Sequence, residues 1–92
     1  MEAVNTNIAA RLAERAARHP GRPAIVEYSA GRACRIAFGE LATRVASLAA
    51  GLGERGVSPA DRVLVFVPMS IDLYLVLLAC CHLGAVAVFV DA

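Results

Sequence analysis

Between Arg62 and Val90 the apolar positions change rhythm twice. Arg62–Val67 is β-branched and apolar without polar alternation, the pattern of a strand covered on both faces of a parallel sheet. Pro68 stops it. Ser70 is placed to cap a helix whose first turn carries Asp72 against the positive end of the helix dipole, and Gly84 to end that helix in a left-handed turn. Val86–Val90 resumes the strand pattern, so the stretch predicts one βαβ unit. The same letters permit another reading. Leu73–Val90 is eighteen residues in which His82 is the only group that ionises near neutrality. As a single helix it would run about 27 Å, close to a bilayer core. That would make a small membrane-anchored or interaction protein. Against a span, Gly84 breaks the run, AVAVFV has strand character and no basic anchor follows.

Upstream, Thr6 or Asn7 caps a first helix that buries Ile8, Leu12 and Ala16 at helical spacing, and His19 before Pro20 ends it. A solvent-facing imidazole there suits the negative end of the dipole. Gly21-Arg22-Pro23 leads to an apolar strand, Ala24–Tyr28. Ser29-Ala30-Gly31-Arg32 has turn composition and Ala33–Phe38 follows, which predicts a hairpin. Leu41, Val45, Leu48 and Leu52 then recur at four, three and four, giving a helix over Gly39–Arg55 that Gly56 ends. Ser58-Pro59-Ala60-Asp61 is a polar turn into the βαβ unit. The expected fold class is α/β, order α-β-β-α-β-α-β, with a partial, mostly parallel sheet and flanking helices.

Composition sharpens this picture. Ninety-two residues suffice for one small domain, yet 59% of them are hydrophobic, more apolar surface than one small core needs. The excess calls for a partner, a membrane or further sequence across the sheet, and predicts that the chain alone is molten or prone to aggregate. A net charge of +1 and scattered arginines make nucleic acid an improbable partner. All nine basic side chains are arginine, which excludes chemistry needing a lysine amine from this chain. Three cysteines, with Cys80 and Cys81 adjacent, form neither a disulfide framework nor a spaced zinc site and read as core residues of a reducing, cytoplasmic compartment. The first twenty residues lack a secretory apolar region. Asn7–His19, with Arg11, Arg15 and Arg18, loosely resembles a targeting helix, against which stand Glu2 and Glu14.

Candidate chemistry has local explanations. Gly51-Leu52-Gly53-Glu54-Arg55-Gly56 matches the letters of a dinucleotide-binding loop, but these glycines follow a helix and would present carbonyls, not N–H groups, to a phosphate. Glu40, Asp61 and Asp72 are carboxylates without a neighbouring histidine or nucleophile. Ser70 lacks the Gly-x-Ser-x-Gly elbow and reads as a cap. His82 has no second metal ligand at helical spacing and reads as a histidine near the end of a buried helix. The residues themselves therefore assign no catalytic, cofactor-binding or metal-binding position.

Read end to end, His19–Val26 (HPGRPAIV), Ala37–Leu41 (AFGEL), Gly51–Ser70 (GLGERGVSPADRVLVFVPMS) and Leu83–Ala92 (LGAVAVFVDA) resemble, in this order and spacing, the start of the AMP-forming adenylating enzymes. Those are the acyl-CoA synthetases, peptide-synthetase adenylation domains and luciferases. The stretch from Val67 to Asp91 is more similar to acyl-CoA synthetases of the fatty-acid class. The resemblance implies that residues 1–92 are an incomplete N-terminal segment of an AMP-binding domain, with no second domain present. It also implies an ATP- and Mg-dependent ligase that activates a carboxylic acid and passes it to CoA or a carrier thiol, through motifs downstream of those present. It carries over no catalytic position, and it implies that this segment binds no cofactor itself. Ala37 replaces the Thr or Ser that would cap the second helix, and Ala60 replaces the glycine usual before Asp61.

Overall fold

The computed structural model describes residues 8–90. The expected Thr6 or Asn7 cap, Glu2 and the Asp91-Ala92 close lie outside these residues. The element order is the expected one: α1 (Ile8–Arg18), β1 (Pro23–Ser29), β2 (Arg32–Ala37), α2 (Phe38–Glu54), β3 (Arg62–Val65), α3 (Ile71–Leu83) and β4 (Val86–Phe89). The strands form two separate two-stranded sheets instead of one mostly parallel sheet. β1 and β2 pair antiparallel, from Ser29 opposite Arg32. β3 and β4 pair parallel, from Arg62 opposite Val86 to Val65 opposite Phe89. The hairpin is set by its loop: Ala30 and Gly31 both have positive φ, 52° and 75°, the two-residue geometry whose twist matches that of the strands it joins. The parallel pair needs the α3 crossover, and no ladder joins the two sheets.

Both long helices end as their glycines predict. After α2, the Gly56 N–H donates to the Gly53 carbonyl (3.0 Å) and the Val57 N–H to the Leu52 carbonyl (3.1 Å). After α3, the Gly84 N–H donates to Cys81 (3.2 Å) and the Ala85 N–H to Cys80 (2.9 Å), with Gly84 left-handed at φ 75°. Each is a paired closure of orphan carbonyls around a left-handed residue. The Leu73–Val90 run is thus helix, turn and strand. Among the described residues no helix is long and apolar enough to cross a membrane.

α2 begins without a side-chain cap at Ala37. Its first amides find other acceptors: the Phe38 N–H donates to the Arg22 carbonyl (2.9 Å) and the Gly39 N–H to the Pro20 carbonyl (3.0 Å). The approach is close enough that a Cβ on Gly39 would meet Pro20 at 3.2 Å. The loop after α1 therefore replaces the missing hydroxyl.

The core lies where α1, α2 and α3 meet the hairpin: Leu12, Ile36, Leu41, Val45, Leu75 and Leu78 are buried together. α3 is apolar on every side, and Ala79 and Cys80 are wholly buried. β3 and β4 fare differently. Val65 is buried, but Leu64, Val86 and Phe89 are exposed, so the two-sided cover that their sequence predicts is missing within residues 8–90. β3 also stops short of Val67: the Val90 N–H makes the last link, to the Val65 carbonyl (3.1 Å), and Phe66 and Val67 have run out of partner strand.

Candidate functional site

The polar residues singled out in the sequence are held by local structure and are not gathered into one site. The Ser70 hydroxyl accepts from the Leu73 N–H (3.3 Å) and donates to the Pro68 carbonyl (2.9 Å), the geometry of a helix cap. Asp72 stands exposed in the first turn of α3. Asp61 folds back to accept from the Ser58 N–H (2.7 Å), fixing the turn before β3. Glu40 pairs with Arg44 one turn on, at 2.7 Å and half exposed, a contact worth little in water. His19 is exposed just after α1. His82 is exposed in the last turn of α3, not enclosed as the apolar helix around it suggested. Gly51 and Gly53 lie inside α2 and Gly56 just beyond it, so this end of the helix offers carbonyls. Among the described residues no group of three His, Cys, Asp or Glu side chains is placed to hold a metal ion.

Cys80 is wholly enclosed, and burial first, then the neighbouring Cys81, pushes its thiol above the ordinary value. A buried thiol held neutral is not a nucleophile. Cys34, expected in the core, is instead exposed on β2, which has only Ile36 buried.

What the structure does assemble is an apolar surface. The parallel pair, the loop after β3 and the first half of α3 enclose a groove of about 450 Å³ lined by Phe66, Met69, Leu73, Tyr74, Phe89 and Val90. Phe66, Met69 and Phe89 remain 66%, 76% and 52% exposed, large apolar side chains gathered along one groove. The groove opens at the C-terminal ends of β3 and β4, the end of an open α/β sheet from which such folds build their sites.

One contact at this end was not legible in the sequence. The Glu27 carboxylate, in the middle of β1, accepts from the Ile71 N–H at 2.8 Å, half buried. It satisfies a free amide of the first turn of α3 and lies at the positive end of that helix. It ties β1 to the start of α3, beside the Pro68–Ser70 loop that borders the groove. The signal for it was a single carboxylate in an otherwise apolar strand, Ala24–Tyr28.

The fold and its open face coincide with a known family. A family model described as AMP-binding enzyme matches residues 12–92. The chain belongs to this family. An acetyl-coenzyme A synthetase of Burkholderia mallei (strain SAVP1) is 34% identical over 82 residues, covering 89% of this chain and 12% of the relative. An acetoacetyl-CoA synthetase from Streptomyces lividans superposes with a TM-score of 0.88 at 31% identity, over 92% of this chain and 13% of that one. A fatty acid AMP ligase from Legionella pneumophila gives a TM-score of 0.89 at 22% identity, over 92% and 15%, a likeness of fold. The chain therefore has the architecture of the N-terminal part of adenylating enzymes, and spans about an eighth of the curated relative it matches. The departure at Ala60 now has a physical meaning. Where the family resemblance places glycine, Ala60 is held left-handed at φ 71°, by an N–H bond to the Gly84 carbonyl at 2.8 Å.

Proposed function

We propose that residues 1–92 are the N-terminal scaffold segment of an ATP-dependent, AMP-forming carboxylate-activating ligase, and that they have no ligase activity alone. In the full reaction a carboxylate attacks the α-phosphorus of ATP, pyrophosphate leaves, and a thiol of CoA or of a carrier then displaces AMP from the acyl-adenylate. The observation that carries the reading is the apolar groove at the ends of β3 and β4, uncovered in a chain that spans about an eighth of the curated relative it matches. An apolar face of this extent is a surface to be buried, and the remainder of the adenylation domain is the cover we assign to it.

The residues of this segment do not suit a nucleotide or Mg site. The glycine-rich stretch Gly51–Gly56 closes a helix, Asp61 and Glu40 have local partners, and the chain has no lysine. ATP, Mg and the acid and thiol substrates are accordingly assigned to residues outside this segment, and the compartment to the cytoplasm. The relatives at 34% and 31% identity, an acetyl-coenzyme A synthetase and an acetoacetyl-CoA synthetase, support an acyl-CoA synthetase.

The test is ATP–pyrophosphate exchange with a panel of carboxylic acids, run on the pure 92-residue chain and on the native polypeptide that contains it. The reading expects no exchange from the first and acid-dependent exchange from the second. Exchange by the short chain would overturn it.

A further inference from the structure

A second apolar groove lies across α3 from the first. It is formed by α1, β1, the start of α2 and α3, encloses about 480 Å³, and is lined by Ile8, Phe38, Tyr74 and Leu77 together with Arg11 and Arg15 of α1. The two arginines are four residues apart and so share one face of the helix, a turn from each other. Both are exposed. Among the described residues the ion pair formed is Glu40–Arg44, which leaves both guanidinium groups without a carboxylate. An apolar groove with two cations in its lining is complementary to an amphipathic helix whose apolar stripe lies in the groove and whose carboxylates recur one turn apart. Between Ile8 and Arg15 α1 advances about 10 Å, the length of two turns of such a helix.

We propose that this groove is filled by an acidic amphipathic helix from the remainder of the same polypeptide, its carboxylates paired with Arg11 and Arg15. The inference rests on the scaffold reading above and adds the chemistry of the segment that docks. Tyr74 and Leu77 line both grooves, so the apolar surface runs continuously around α3, and one covering body accounts for both. That continuity favours the same polypeptide over a separate protein.

The test places a benzophenone amino acid at position 8 of the native polypeptide, irradiates it and maps the cross-linked peptide. The expected result is an intramolecular cross-link to an acidic helical stretch outside residues 1–92. Arg11→Glu with Arg15→Glu should cut its yield about tenfold, as like charges meet across the interface. Arg18→Glu, off the groove, should leave the yield unchanged, and changing the cross-linked carboxylates to arginine in the double variant should restore it. A cross-link to a neutral or basic stretch, to another protein or to nothing would overturn the inference, as would absence of charge-swap rescue. A native product of 9.6 kDa would instead overturn the scaffold reading and this inference with it, a result separable from a large polypeptide that fails to cross-link.

Discussion

The two sheets meet water on different terms. The hairpin carries charge along its length, with Glu27 in β1 and Arg32 and Arg35 in β2, and its inward side chain Ile36 reaches the core. The parallel pair carries only Arg62, and turns Leu64, Val86 and Phe89 outward. The hairpin thus mixes charged and apolar side chains on its outer face, Tyr28 and Val26 among them, whereas the parallel pair is an interior without its second wall. Strand composition records the burial a strand has in its complete setting, and the difference between the sheets marks where that setting continues beyond the described residues.

The comparison can be broken first at the core. Leu41→Ala, at the junction of α2 with the other helices, should lower stability by about 2–5 kcal/mol, read as loss of amide protection across all three helices. Phe89→Ala should cost a similar amount in the native polypeptide, where the remainder of the domain covers a side chain that is 52% exposed in residues 8–90. A loss below about 0.5 kcal/mol would mean that the parallel pair stays uncovered.

The bond between β1 and the start of α3 gives the next effect. Glu27→Ala removes the acceptor for the Ile71 N–H and should cost about 1–3 kcal/mol, seen as faster hydrogen exchange in the first turn of α3. Glu27→Gln keeps an oxygen there and should cost less. If alanine and glutamine behave alike, charge and not the hydrogen bond is the source of the effect.

Cys80 supplies a pH dependence with a defined sign. Its folded-state value is raised, so above the ordinary thiol value the unfolded chain has lost a proton that the folded chain retains. The stabilisation is complete below pH 9.0 and is lost as pH rises from there through the raised value, at up to about 1.4 kcal/mol per pH unit. Cys80→Ala should abolish that alkaline slope in a pH series of unfolding, and a slope unchanged by the substitution would assign it to another group.

The smallest effect concerns the turn into β3. Ala60→Gly relieves a left-handed alanine, a cost of about 1–2 kcal/mol, against the greater freedom glycine has when unfolded. The net gain should be about 0.5 kcal/mol, measurable as slower exchange of the Ala60 amide. A loss would show that the turn is not strained.

Element order was legible because the signals for it are local: Ser70 caps, Gly56 and Gly84 terminate, and leucine spacing along α2 reports its buried face. The hairpin was legible from four turn residues. Division into two sheets was not, since nothing in a strand's letters names a distant partner. The role of Glu27 depends on an amide 44 positions away, and the exposure of His82 on the packing around α3. An apolar run reads the same whether its cover lies within the segment or beyond it, so the letters of β3 and β4 called for cover on both faces without showing where it lies. As to a site, the letters placed Ser70, Asp61 and Gly56 in structural roles that the structure reproduces, while the apolar grooves emerge only when α1, α3 and the strands are brought together.

The central claim is that these residues are one wall of a larger adenylating enzyme. It is tested most directly by the size of the native product, by immunoblot of source cells with an antibody against the peptide spanning residues 7–22. The account predicts a band several times larger than 9.6 kDa. A single band at 9.6 kDa would contradict it.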